Sequence, residues 1–309
     1  MILILSSVTD THAILVQKEL QNNGNETKIF DLREFSNGLL LDYQIGENPI
    51  RQFIEGDGSN IDFTNITSVW FRRPRYPLIS RRVLEIEDRR FGDMEWINAI
   101  DGMLSLDMKC VNSLQHQQAA IKPKQLEIAR NCGLTVPETL ITNNSDKVEE
   151  FLTKHANRVV HKAMSVPTHR FLDTRLWKEE DRHHLTDLKL APTIFQEYIS
   201  GPYDVRATVV GNEIFSARIT NPKKSDSDEI DSRLNLDLPY EPYELPEEIS
   251  DRIFRFMEKM GLVFGTIDLK ITSHGEHVFF EINPQGQFLY VEILTKLPIV
   301  RALAKYLAE

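Results

Sequence analysis

The strongest constraint on this chain lies in two neighbouring apolar segments. Each carries an acidic residue where a sheet would normally hold an aliphatic one. They are Val263-Phe264-Gly265-Thr266-Ile267-Asp268-Leu269-Lys270 and Val278-Phe279-Phe280-Glu281-Ile282-Asn283-Pro284. Between them, Ser273-His274-Gly275-Glu276 reads as a hairpin loop, so Thr272 is expected to face His277. Counting back from that pair puts Asp268 opposite Glu281, and strand alternation puts Asn283 on the same face. Like charges directly across a sheet destabilise it. A hard cation held by Asp268, Glu281 and the amide oxygen of Asn283 would remove the conflict. Oxygen ligands with room for phosphate suit Mg²⁺. A solvated, charged face of an antiparallel sheet would leave the same pattern without a metal.

The remainder of the chain reads as mixed α/β (α+β) in three units. Residues 1–110 open with an apolar strand over residues 2–5, and Thr9-Asp10 is placed to cap a helix running to Leu20. Further strands are expected at 28–32 and 66–72, and helix over 83–106. Gly56-Asp57-Gly58 lacks the third glycine of a dinucleotide fingerprint and reads as loop. Residues 111–192 show a helix from Lys122 to Cys132-Gly133, a second capped by Asn143-Asn144-Ser145-Asp146, and a strand over 158–162. An irregular, charged stretch over 164–192 follows. Residues 193–309 carry a hairpin turning at Gly211-Asn212, a polar loop over 221–233, an amphipathic helix stopped by Gly261, and the carboxylate pair.

With 36 Lys+Arg against 46 Asp+Glu the formal charge is −10, which argues against a general nucleic-acid or anionic-membrane partner. Two cysteines make neither a disulfide framework nor a zinc site. The first residues lack the basic region of a signal peptide, and no run approaches the roughly 20 apolar residues of a membrane helix. A cytoplasmic location is therefore expected. No GxxxxGK[ST] occurs, which excludes a P-loop enzyme. Lys122 and Lys162 read either as surface lysines or as two cations converging on phosphates. The stretch Ile194-Phe195-Gln196-Glu197-Tyr198-Ile199 reads either as plain strand or as a linker offering backbone groups to an adenine edge. Asp204 and Arg206 share one strand face, whereas Arg218 falls on the other. Asp231 and Arg233 sit in the polar loop and read either as groups closing over a reacting phosphate or as a solvated charged surface, the simpler account.

In order, these segments resemble an ATP-grasp ligase, and more closely the microviridin-type ligases that cross-link ribosomal precursor peptides into graspetides. The resemblance is carried by Val69-Trp70-Phe71-Arg72-Arg73-Pro74, Ile121-Lys122-Pro123-Lys124, Gly133-Leu134-Thr135-Val136-Pro137-Glu138, Phe195-Gln196-Glu197-Tyr198-Ile199, Asp204-Val205-Arg206 and Asp231-Ser232-Arg233. It ends on the carboxylate pair with its Asn283-Pro284-Gln285-Gly286-Gln287-Phe288 extension. It implies an ATP-grasp fold with an N-terminal pre-ATP-grasp domain and two lobes holding ATP between them. It implies that Lys122 and Lys162 hold ATP phosphates, Gln196, Glu197, Tyr198 and Ile199 the adenine, and Asp204 the ribose. Asp268, Glu281 and Asn283 would bind Mg²⁺, and Arg206 and Arg233 would contact phosphoryl group and substrate carboxylate. Two departures stand out: no glycine-rich loop follows Lys162, and Ser232 replaces the family's aromatic residue between Asp231 and Arg233.

The implied partner is a precursor peptide, a leader joined to a Thr/Glu/Asp-rich core, and a homodimer would be in keeping with the family. The implied reaction activates an Asp or Glu carboxylate as an acyl phosphate, and a Ser or Thr hydroxyl or Lys amine then displaces phosphate. Seven arginines lie between positions 72 and 90. Arg72 and Arg73 extend a strand, so they, with Asp231, are the expected substrate contacts; the rest decorate a helix balanced by Glu85, Glu87 and Asp88. Two rivals share the nucleotide site: a ligase adding amino acids to a protein tail or small acid, and a non-catalytic nucleotide-binding regulatory module.

Overall fold

The structure, a computed structural model, describes residues 1–33, 38, 40–47, 49–54, 60–104, 108–165, 174–220 and 238–309. The first unit contains β1 (Ile2–Leu5), α1 (Thr11–Asn22), β2 (Thr27–Phe30), β3 (Leu40–Gln44), β4 (Ile50–Ile54), β5 (Asn60–Asp62), β6 (Ser68–Trp70), α2 (Ile86–Leu104) and β7 (Lys109–Val111). Its main sheet is parallel, in the order β2-β1-β6-β7. β1 is buried along its whole length, as a parallel strand covered on both faces must be, which explains its unbroken apolar run. α1 starts where the sequence indicates: the Asp10 carboxylate accepts from the His12 N–H. The antiparallel sheet β3-β4-β5 was not expected. Its strands are short, and β3 is exposed along most of its length, so the apolar alternation that marks a strand is weak there. The loop reading of Gly56-Asp57-Gly58 lies outside the described residues.

The second unit continues with α3 (Leu114–Ala119), α4 (Lys122–Asn131), β8 (Thr139–Thr142), α5 (Ser145–Lys154), β9 (Val159–Lys162), β10 (Arg175–Leu176), a 3₁₀ helix (Glu179–Leu190) and β11 (Thr193–Glu197). Its sheet has the order β10-β9-β11-β8. β11 is antiparallel to both β8 and β9, so 193–197 packs with the unit that the sequence reading closes at residue 192. Ile194 and Phe195 are both buried there, Phe195 within the side-chain core of that unit. The stretch expected to be irregular contains β10 and the 3₁₀ helix; Trp177, between them, and Leu188 of the helix join Val148, Phe151, Leu152, Val159 and Phe195 in a small core.

The third unit comprises β12 (Tyr203–Val210), β13 (Glu213–Thr220), β14 (Tyr240–Pro242), α6 (Glu247–Met260), β15 (Phe264–Ile271), β16 (His277–Asn283), α7 (Leu289–Thr295) and α8 (Ile299–Ala308). Its antiparallel sheet runs β14-β13-β12-β15-β16. One face packs on α4 and α6 through Val205, Ala207, Ile267, Leu269, Ile253 and Phe256. The other face is apolar at one end, where Val210, Phe264 and Phe288 join a core with β1, α1 and α8. At the opposite end that face is polar. α6 stops at Gly261, whose φ of 68° is the left-handed cap expected there.

Asn112, directly after β7, stitches the first unit to the third. Its Oδ1 accepts from Val263 N–H at 2.8 Å and Phe264 N–H at 3.0 Å, and its Nδ2 donates to the Phe264 carbonyl at 2.8 Å and that of Pro284 at 3.3 Å. It is 1% exposed, so removal would strand several buried backbone groups. Asn112→Ala is expected to lower unfolding stability by about 2–3 kcal/mol, read as an earlier urea midpoint.

Candidate functional site

The polar end of the third sheet is built in rungs. Asp204 pairs with Lys270, Arg206 with Asp268, and Thr208 with Thr266; across β15, Asp268 faces Glu281 and Thr266 faces Asn283. Alternation brings all these side chains to one face. The apposition of Asp268 and Glu281 agrees with the sequence count, but the count that led to it is corrected. The tip is one residue shorter: Thr272 N–H donates to Glu276 O at 2.9 Å around Ser273-His274-Gly275, and Gly275 adopts φ 81°. His277 therefore pairs with Ile271, and Leu269 with Phe279. A bulge between Asp268 and Leu269 shifts the register by one and returns Asp268 to Glu281.

Each acid has its own cation. Arg206, 4% exposed, donates from Nη1 to Asp268 and from Nη2 to Thr266 Oγ1 at 2.7 Å and to the Gln287 carbonyl at 3.4 Å. Lys122, the first residue of α4, lies with Nζ 3.5 Å from Glu281 Oε2. The same ammonium donates to the Ala163 carbonyl at 3.1 Å, so it touches the residue directly after Lys162. On the next rung Lys270 Nζ meets Asp204 Oδ1 at 2.6 Å. Arg218 faces away and pairs with Glu241, as the hairpin count implies.

Three amides, Gln125 and Asn112 buried and Gln117 half-buried, fix these positions, and none was singled out in the sequence. Gln125 in α4 accepts from Ile282 N–H at 2.9 Å and donates to Ile282 O at 3.1 Å, pinning the helix that bears Lys122 to the strand that bears Glu281. Gln117 donates to the carbonyls of Phe71 and Asn112, each at 3.0 Å, and accepts from Gln285 Nε2. Asn112 is the third. The usable signal was Gln125's place one turn before Ala129 on the buried stripe of α4.

Beyond β16 the chain turns tightly. Asn283 Oδ1 accepts from Gln285 N–H at 3.0 Å, and the Gly286 N–H donates to the Asn283 carbonyl at 3.0 Å. A Cβ on Gly286 would fall 1.6 Å from Thr266 Oγ1, so only glycine fits against that rung. Arg72 is wholly buried behind this turn, donating from Nη1 to the carbonyls of Gln285 and Gly286, with Nε 3.3 Å from Asp10 Oδ2. Burial lowers its pKa to about 10 despite Asp10. It does not face solvent as a strand-end substrate contact would, whereas Arg73 is exposed. Burial pushes the Asp10 carboxyl up, but hydrogen bonds from His12 and Ser6 and the charge of Arg72 hold it well below the usual carboxylate range.

In the second sheet, Lys162 and Gln196 share one face: Lys162 pairs with Ile194, and Gln196 with Val160. Gln196 is buried and donates to Thr139 Oγ1 at 2.9 Å. Glu197 points to the opposite face, where its carboxylate accepts from Glu138 N–H at 2.8 Å. The Glu197 and Tyr198 N–H groups donate to the carbonyls of Glu138 and Arg158, and Ile199 follows the strand. Asp231 and Arg233 lie outside the described residues.

The donor set suits Mg²⁺. Asp268, Glu281 and Asn283 offer only hard oxygen atoms, and Asn283 Oδ1 is oriented by its bond from Gln285. Among the described residues no group of three or more His, Cys, Asp or Glu is placed to hold a metal. Two carboxylates and an amide would fill only part of the octahedral oxygen shell of Mg²⁺ and leave the rest to phosphate oxygens and water.

The fold has known counterparts. Residues 1–118 match the family model described as the MvdD pre-ATP grasp domain. The macrocyclase MdnC from Microcystis aeruginosa MRC, solved with precursor peptide MdnA, is 28% identical with a TM-score of 0.88, the match covering 99% of this chain and 98% of that one. The likeness supports a graspetide-type ATP-grasp ligase. A RiPP-associated ATP-grasp ligase from Chryseobacterium gregarium, in complex with ADP and a leader and core peptide, is 25% identical with a TM-score of 0.88, over 99% and 96% of the two chains. Macrocyclase MdnB of Microcystis aeruginosa MRC is 26% identical with a TM-score of 0.83, over 99% and 98%. No curated protein sequence matches. No described helix is long and apolar enough to cross a membrane. The likeness to ATP-grasp ligases supports an enzyme of the ligase class.

Gln125→Leu keeps the volume of the side chain but leaves the Ile282 N–H and carbonyl unpaired in a buried place. Loss of about 2 kcal/mol in unfolding stability is expected, measured by urea denaturation, with a larger loss of Mg²⁺-nucleotide affinity than of fold.

Proposed function

We propose that this ligase activates Asp or Glu side-chain carboxylates of a ribosomal precursor peptide as acyl phosphates and closes macrocyclic esters with Ser or Thr, or amides with Lys. The observation that carries this reading is the pair Asp268 and Glu281, face to face and each held by a cation from a different element. It is joined by likeness over nearly the whole chain to MdnC, a macrocyclase solved with its precursor.

ATP is the phosphoryl donor in this reading. Lys122 and Lys162 take its phosphates, the 196–199 segment receives the adenine against the face of Gln196, and Asp204 takes the ribose. Asp268, Glu281 and Asn283 would hold Mg²⁺, which would supply positive charge to the phosphoryl oxygens. Arg206, already fixed by Thr266 and Gln287, supplies preorganised positive charge where negative charge develops, with no reorganisation at the moment of transfer. Arg233 is assigned to the phosphoryl group and the substrate carboxylate, and Asp231 to the substrate. The substrate carboxylate attacks the γ-phosphorus, ADP leaves, and the hydroxyl or amine of the same peptide then expels phosphate. Holding both groups on one peptide removes much of the entropic barrier. Arg73 attracts the acidic core peptide from solvent, while Arg72 holds the turn after β16. The partner is a leader-bearing peptide with a Thr/Glu/Asp-rich core; a cytoplasmic homodimer fits the same reading.

Mass spectrometry of a co-expressed precursor is expected to show loss of one water mass per ring, abolished by Glu281→Ala. An unmodified precursor with the unaltered enzyme would reject the reading, and methanolysis would open esters but not amides. Arg73→Ala is expected to slow cross-linking about tenfold with unchanged nucleotide affinity, as for loss of one charge-assisted contact. Equal loss of both would remove Arg73 from substrate capture.

A further inference from the structure

Between the first unit and the rungs lies an imidazole that the reaction above does not use. His12, one residue into α1, places Nδ1 3.4 Å from Asp10 Oδ1. Its Nε2 accepts from the N–H groups of Phe288 at 3.2 Å and Leu289 at 3.4 Å, where the turn after β16 enters α7. Only the tautomer with a proton on Nδ1 satisfies both contacts: Nδ1–H toward the carboxylate, and a lone pair on Nε2 toward the amides. A protonated ring carries hydrogen on both nitrogens and has no lone pair to offer. The ring is packed edge-on to Phe288, centroids 4.9 Å apart. The charged groups facing it are Asp10 from its own turn and Arg72 and Arg73 from the end of β6. From α7 it meets the Phe288 ring and the two amides.

The same first unit grips the other end of that segment, because Arg72 donates to the carbonyls of Gln285 and Gly286. The 285–289 segment is therefore held at its entrance by Arg72 and at its exit by His12, with Asp10 joining the two. What it carries is consequential. The Gln287 carbonyl takes a bond from Arg206, the Gln285 N–H orients Asn283 Oδ1, and Gly286 abuts Thr266.

We propose that His12, with Arg72, is a positioning residue: as a neutral acceptor it latches residues 285–289, and through them Asn283 and Arg206, so that the N-terminal domain sets the catalytic geometry and protonation opens the latch. The consequence for turnover rests on the ligase reading above; the latch itself does not. Burial lowers the pKa of His12 below its ordinary value, outweighing the hydrogen bond to Asp10. The latch contribution is thus fully present above the ordinary histidine value of 6.5 and is lost as pH falls through the lower folded value.

The experiment is hydrogen–deuterium exchange of the full-length protein over residues 285–289 against pH, corrected for intrinsic exchange, in the unaltered chain, His12→Gln and His12→Phe. Protection should fall on acidification in the unaltered chain. It should be pH-independent in His12→Gln, which keeps a non-titrating acceptor, and at least tenfold lower at neutral pH in His12→Phe. Equal protection in His12→Phe and the unaltered chain, or the same acid loss in His12→Gln, would overturn the latch. With Mg²⁺-ATP and precursor, His12→Phe should lose about tenfold in kcat with little change in the KM for peptide, and His12→Gln should flatten the acid limb of kcat. Altered protection without altered kcat would overturn the link to catalysis while leaving the ligase reading standing; failure of the unaltered enzyme to modify any precursor would count against that reading and not against the latch.

Discussion

Two carboxylates facing each other across a sheet repel, and much of the third unit is arranged around that repulsion. Arg206 answers Asp268 from the adjoining strand, and Lys122 answers Glu281 from a helix of another unit. Neither cation arrives unaided. Arg206 is held by Thr266 and the Gln287 carbonyl, and Lys122 by the clasp between Gln125 and the Ile282 backbone. Replacing one partner of such a buried group would leave the other uncompensated, which costs far more than the pair contributes. A cluster of this kind is a source of specificity rather than of net stability.

The alternation of β12, β15 and β16 divides labour between the two faces of one sheet. Val205, Ala207, Ile267 and Leu269 pack against α4 and α6, while the residues between them bear charge. The apolar face supplies the burial that keeps these strands flat against the helices, about 25 cal/mol per Å² removed from water. The charged face can then be held under strain of like charge without loosening the sheet. At the far end of the same face, Val210, Phe264 and Phe288 close the structure against the first unit.

Legibility in the sequence followed the physics of each element. The parallel strand β1, the Asp10 cap, the hairpin turning at Gly211-Asn212 and the stop at Gly261 are local events, and the sequence carries them. The facing of Asp268 and Glu281 was also readable, although through a tip one residue too long and a bulge not foreseen. The sheet β3-β4-β5 was not readable, since an exposed strand lacks the apolar alternation that would announce it. Arg72 looked like the last residue of a solvent-facing strand; its burial depends on a turn more than two hundred residues later, which no local pattern encodes. Gln117, Gln125 and Asn112 were missed for a related reason: an amide that reads another segment's backbone looks, in sequence, like any surface amide. The contacts of Asp231 and Arg233 belong to a stretch outside the described residues.

The compensated register of the β15–β16 hairpin has one more consequence. The bulge beside Asp268 acts as a slip joint between the tip of the hairpin and its chemically active base. Variation at Ser273-His274-Gly275 can be taken up before it reaches the acids, so tip length and acid placement are separately adjustable. The outer rim of the hairpin is thereby free to change in length while the inner rungs keep their spacing.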